Sequence, residues 1–121
     1  MAGTLNNTGV AYKNLGNLDS ALIYYSRSMK LNLEQGLKAG VAQLYNNIGA
    51  IHSDRGVYDS AEFYYKKAIV SYEELSDFYN ASMTYRNVGH NYFNTGNYPK
   101  ALEYYLIALR IAKEIEAKSI E

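Results

Sequence analysis

"YNNIGAIHSDRGVYDSAEFYYKKAI" (Tyr45–Ile69) and, forty residues on, "YRNVGHNYFNTGNYPKALEYYLIAL" (Tyr85–Leu109) are near-copies of one another. Sliding the whole sequence by forty residues brings a third, looser copy into register at the start of the chain. Asn7, Asn47 and Asn87 superpose, as do Gly9, Gly49 and Gly89, Gly16, Gly56 and Gly96, and Ala21, Ala61 and Ala101. The tyrosine pairs Tyr24-Tyr25, Tyr64-Tyr65 and Tyr104-Tyr105 complete six positions that are identical in all three copies without a gap. Repetition at such a period marks stacked supersecondary units, each of which buries its apolar face against a neighbour.

Within a copy the apolar spacing is helical. Leu44, Ile48 and Ile51 fall at i, i+4 and i+7, a stripe on one side of a helix. That stripe stops at Arg55-Gly56, a basic residue followed by one that tolerates the left-handed conformation of a helix end. Asn17 and Asn97 are good N-caps for the next helix, Asp19 and Asp59 suit the helix-start dipole, and Pro99 falls in a first turn. Gly36 ends one copy, and Ser76 and Asp77 are placed to cap the start of the next. The pattern predicts six antiparallel helices at 3–15, 18–35, 38–55, 58–75, 78–95 and 98–116. The corresponding repeats are 1–36, 37–76 and 77–116, all within one domain spanning 1–121.

Composition narrows the function. The 121 residues carry 12 Lys plus Arg and 12 Asp plus Glu, so the formal net charge is zero and no electrostatic footprint for nucleic acid emerges. There is no Cys, hence neither a disulfide framework nor thiolate chemistry. No apolar run approaches the roughly 18 residues of a membrane span, and no signal-peptide pattern opens the chain. The expectation is a soluble segment with no membrane or nucleic-acid partner, the cytoplasm being favoured. A single Pro permits long helices, and 14 Tyr against 3 Phe and no Trp supply amphipathic packing material for thin layers whose edges touch water. His52 and His90 hold different places in their repeats, no phosphate loop or nucleophile–base set is found, and the reading is non-enzymatic, with no metal or cofactor.

The repeated residues resemble the tetratricopeptide repeat, whose pattern is an aromatic-x2-L-G-x2-Y followed by A-x3-F and a small residue. Here it reads Tyr45-x2-Ile48-Gly49-x2-His52, Ala61-x3-Tyr65 and Ala68, and again Tyr85-x2-Val88-Gly89-x2-Tyr92, Ala101-x3-Tyr105 and Ala108. Copy one reads Leu5, Thr8, Gly9, Tyr12, Ala21, Tyr25 and Ser28. The expected Pro is missing, and the period is forty rather than the usual thirty-four. This longer variety is similar to the repeats of Pins-type adaptors, kinesin light chains and bacterial signalling arrays. The resemblance implies an all-α fold, a right-handed α-solenoid of three antiparallel helix pairs.

Glycine in a helix interior costs about 1 kcal/mol against Ala, so its recurrence at 9, 49 and 89 implies close helix approaches, with Ala21, Ala61 and Ala101 facing them. Tyr25, Tyr65 and Tyr105 are expected between helix pairs, and Tyr24, Tyr64 and Tyr104 on the convex face or in the inter-repeat layer. In a curved stack the first helices line the concave side, which would present Asn7, Asn47 and Asn87. Asn is a poor helix former, and three primary amides in a row match the donors and acceptors of an extended peptide backbone. In peptide-binding members of the similar long-repeat families, Asn at this place does that work. Asn14, Asn46, Asp54, Arg86, His90 and Phe93 complete the candidate peptide-binding set: Arg86 and His90 for a carboxylate, Asp54 for a basic group, Phe93 as an apolar anchor.

The expected partner is therefore a peptide or protein segment, and the expected function an interaction scaffold. The alternative is a structural array segment that brings attached signalling domains together by homo-oligomerisation. Residues 117–121 match the link to a fourth repeat and are expected to begin a truncated one. Leu102, Leu106 and Leu109 then form an uncovered apolar face through which self-association is expected.

Overall fold

Six helices follow one another in the computed structural model, which describes residues 1–120: α1 (Ala2–Asn14), α2 (Leu18–Gln35), α3 (Lys38–Asp54), α4 (Tyr58–Glu74), α5 (Phe78–Asn94) and α6 (Tyr98–Ile120). Among the described residues there is no strand. Each helix pair closes through a glycine with positive φ, 82° at Gly16, 76° at Gly56 and 81° at Gly96. The following N–H then reaches back, as from Val57 to the His52 carbonyl at 2.9 Å, and satisfies a carbonyl that the helix end leaves free. Asn17 and Asn97 cap as the sequence suggests, accepting from the backbone of Ser20 at 3.1 Å and Lys100 at 3.3 Å.

Two boundary expectations are corrected. Ser76 does not cap α5. It takes the left-handed turn (φ 56°) that Gly36 (φ 68°) takes one repeat earlier, and Asp77 alone caps, accepting from the Asn80 N–H at 3.2 Å. The sixth helix does not end at 116 but runs on to Ile120; Glu121 lies outside the described residues. The register explains this, because Glu116 stands where Gly36 and Ser76 stand, and Glu is a good helix former with no tolerance for a left-handed turn.

The core lies between helix pairs and repeats with the sequence. Ala21, Tyr25, Leu44 and Ile51 form one buried cluster, and Ala61, Tyr65, Ile69 and Val88 form the next one along the stack. Each repeated glycine receives a tyrosine ring. A Cβ on Gly9 would lie 2.6 Å from Tyr25 Cδ1, one on Gly89 2.7 Å from Tyr105 Cδ1, with the Ala21 carbonyl next nearest to Gly9 at 3.3 Å. The close approach is thus made mainly by the ring, and the facing alanine lets the backbone come near. Tyr24, Tyr64 and Tyr104 sit inside their own pairs, and Tyr104 also reaches the inter-repeat layer, where it meets Lys66 of the preceding repeat. They stack on Tyr12, His52 and Tyr92 at centroid distances of 5.4, 5.4 and 5.6 Å, so His52 is a packing residue. Offset stacking of this kind adds about 0.5–1.5 kcal/mol beyond area burial.

Candidate functional site

Curvature decides which surface is free for a partner. The first helices of successive repeats touch, α1 with α3 and α3 with α5, whereas α2 does not reach α4 and α4 does not reach α6. It is the backbones of α2 and α4, and of α4 and α6, that stay apart, the long Lys66 side chain spanning to Tyr104. A stack whose backbones are closer on one side bends toward it, so α1, α3 and α5 line the concave face.

On that face the amides form cross-repeat pairs. Asn47 Nδ2 donates to Asn6 Oδ1 at 3.0 Å, and forty residues on Asn87 Nδ2 donates to Asn46 Oδ1 at 3.1 Å. The Thr84 hydroxyl, which donates to the Asn80 carbonyl at 2.9 Å, stands 3.5 Å from that Asn46 oxygen. Asn6 is buried at 8% exposure and Asn46 is half-buried, so their carbonyls are committed to the neighbouring helix. Asn47 and Asn87 each retain Oδ1 and a second N–H that bond to no described residue. Asn7 is exposed and makes no amide pair. The consecutive Asn-Asn dipeptides at 6–7 and 46–47 are the sequence trace of this pairing: the first amide of each accepts from the following repeat, and Asn47 donates to the preceding one.

The third repeat carries a cationic corner. Arg86 replaces the Asn6 and Asn46 position and is exposed, and His90 Nδ1 shares a 2.7 Å hydrogen bond with the Tyr105 hydroxyl. Burial raises the Tyr105 pKa above its ordinary value while the nearby Arg86 charge opposes the rise. Tyr65 reaches the same face one repeat earlier: burial first, then the Asp54 carboxylate, push it up to about 12 against an opposing hydrogen bond from Ser53. The hydroxyl ends of these packing rings therefore border the groove. Asp54 lies 3.9 Å from Lys13 across the groove, Asn14 is exposed at the end of α1, and Phe93 stands half-exposed with its edge on Tyr98 at 5.3 Å. Beneath the rim, Ser53 donates to Asn91 Oδ1 at 2.9 Å. Asn91 is only 3% exposed, and its Nδ2 finds no acceptor among the described residues.

Sequence and structure comparisons agree with this fold. Two tetratricopeptide-repeat family models match, one over residues 1–74 and one over residues 82–115. Among solved structures, BtubC (BKLC) from P. vanneervenii is similar with a TM-score of 0.83 and 25% identity, covering 93% of this chain and 46% of its own. The chain thus spans less than half the length of that protein. The N-terminal domain of stress-induced protein-1 (STI-1) from C. elegans matches at a TM-score of 0.74 and 15% identity, over 96% of this chain and 92% of that one. MamA matches at a TM-score of 0.54 and 20% identity, over 97% and 81%. At those identities the last two establish the fold alone. No curated protein matches the chain in sequence. Among the described residues no helix is long and apolar enough to cross a membrane.

Proposed function

Since the chain belongs to the tetratricopeptide-repeat family, we propose that its concave face holds an extended peptide segment of a protein partner. Tetratricopeptide repeats are in general a protein-interaction fold rather than a catalytic one, and this chain is such a scaffold. The observation that carries the finer reading is the half-used amide. Asn47 and Asn87 are each anchored by one N–H to the preceding repeat, which fixes their orientation and leaves a carbonyl and an N–H for a ligand. One acceptor and one donor side by side match a peptide unit, and orientation fixed in advance lowers the ordering cost of binding. Asn7 continues the row at the first repeat. Arg86 and His90 suit an acidic side chain or a terminal carboxylate of the peptide. Asp54 and Asn14 suit a basic or polar one, and Phe93 supplies apolar contact.

The test is Asn87→Ala, because Asn46 is only half-buried and its Oδ1, released from Asn87, can turn to solvent. Affinity for a peptide selected from a library on the parent should fall about tenfold, the loss of about 1.4 kcal/mol, with the melting temperature nearly unchanged. Unchanged affinity would remove Asn87 from the binding row and leave the amides as inter-repeat struts.

A further inference from the structure

The two joints between repeats are related by a shift of forty residues, as the Asn47–Asn6 and Asn87–Asn46 bonds show, so the positions that would face one another at a joint after α6 can be written down residue by residue. In the first joint Arg55 bonds Asp19, Lys13 faces Asp54 and Asn47 bonds Asn6. In the second, Glu62 lies beside the Tyr92 hydroxyl, Lys66 beside that of Tyr104, Ser53 bonds Asn91 and Asn87 bonds Asn46. Both internal joints are therefore fastened by charges and hydrogen bonds around an apolar centre.

Carried one repeat further, with the first repeat of another copy in the receiving place, the same positions change character. Asp19 becomes Pro99 and Arg55 becomes Leu15; Glu62 becomes Leu102 against Tyr12, and Lys66 becomes Leu106 against Tyr24. Ser53 becomes Phe93, facing Ala11 and Asn14. On the α6 side the charged and polar fastenings at these positions give way to Pro99, Leu102, Leu106 and Phe93, and at Pro99–Leu15 and Phe93–Ala11 both sides become apolar. The one charge left, Arg86, meets the Asn7 amide, whose carbonyl accepts a guanidinium N–H. These groups are uncovered in the structure: Leu15 is 80% exposed, Leu102 57%, Leu106 53% and Phe93 52%. Leucines on one end that match an exposed leucine and a tyrosine stack on the other form a self-complementary pair of surfaces.

We propose that a second copy of this chain docks its α1–α2 edge onto the α6 face and continues the solenoid head to tail. Such a contact uses two different surfaces, so it propagates rather than closing at a dimer. It also extends the groove across copies, setting Arg86 and His90 of one copy beside Asn7 and Asn14 of the next.

Sedimentation over a range of concentrations tests this. The parent should show an average mass that rises above 13.7 kDa and keeps rising past the dimer. Leu15→Asp disables one end and Leu106→Glu the other; each variant alone should remain monomeric, with the parent's helical circular dichroism because both side chains are exposed. Mixed in equal amounts, the two should form a one-to-one dimer and nothing larger, since one working end comes from each. A parent that stays monomeric at about millimolar concentration overturns the proposal. A dimer that survives Leu15→Asp but is lost in Leu106→Glu overturns it too, because that pattern belongs to a symmetric α6–α6 contact.

Discussion

A Cβ built on Gly49 would stand 2.7 Å from Cδ1 of Tyr65, closer than two carbons can come. The ring has nowhere to retreat, being 4% exposed and wedged into the core between the second and third repeats, and the Ala61 carbonyl closes the other side at 3.2 Å.

Gly49→Ala therefore sets overpacking, about 1–3 kcal/mol, against a helix-propensity gain of about 1 kcal/mol, and should destabilise on balance by up to about 2 kcal/mol. Gly89→Ala should cost less, because Tyr105 is only half-buried and can move. Gly3→Ala, with no atom within 4 Å of the added carbon, should be neutral or stabilising. Urea unfolding of the three variants checks the order, and equal effects at all three sites would mean that the ring contact does not limit residue size.

Asn91 is a polar residue at a position where the second repeat has Ile51, which is fully buried. Its unpaired Nδ2 carries a desolvation cost of about 1–3 kcal/mol, so Asn91→Val should raise stability by about 1 kcal/mol and the melting temperature by about 4 °C. Ser53 loses its acceptor in that variant but is half-exposed and can turn to solvent. A lower melting temperature would show that the Ser53–Asn91 bond outweighs the orphaned N–H.

Alkaline pH should unfold the chain through its buried phenols. Tyr65 is pushed up to about 12 by burial, then by Asp54 and against Ser53, and Tyr72 up to about 12 by burial and then Asp77. An unfolded tyrosine titrates near 10, so above that pH the folded chain holds more protons than the unfolded one. The stability these rings contribute is complete below about pH 10 and is lost as pH climbs toward about 12, up to about 2–3 kcal/mol for each ring. The urea midpoint should fall across that window in step with tyrosinate absorbance. Tyr72→Phe should flatten the fall, and a midpoint independent of pH there would show that both phenols ionise within the folded chain.

The helices and their turns were legible because glycine, Asn and the tyrosine pairs recur at one period, and repetition averages out the weakness of any single signal. Gly56 illustrates it, predicted as a left-handed helix end and found at φ 76°. The overrun of α6 was harder to read, since it depends on Glu116 lacking the property that Gly36 and Ser76 share, and an absent stop signal is quieter than a present one. At the groove, Asn47 and Asn87 could be placed on the concave face from spacing, but their partners could not. Each bonds a residue forty-one positions away, a separation that follows from the tilt between repeats and not from any local pattern. The Tyr105–His90 contact is hidden for a related reason: a ring packed between helix pairs puts its hydroxyl at the layer edge, but the side chain it meets there depends on how α5 and α6 cross.

Contacts in this molecule run only between neighbours: helices of the first repeat touch those of the second, and none touches the third. Nothing closes the structure on itself, so each pair owes its protection to whichever pairs flank it. The α3–α4 pair has two such neighbours and the outer pairs one each, which makes the middle of the chain the last part to exchange its amide hydrogens and the ends the first to fray. Stability is then a property that grows with the number of joints, and a ligand lying along several repeats acts as a clasp, tying together units that otherwise open one at a time.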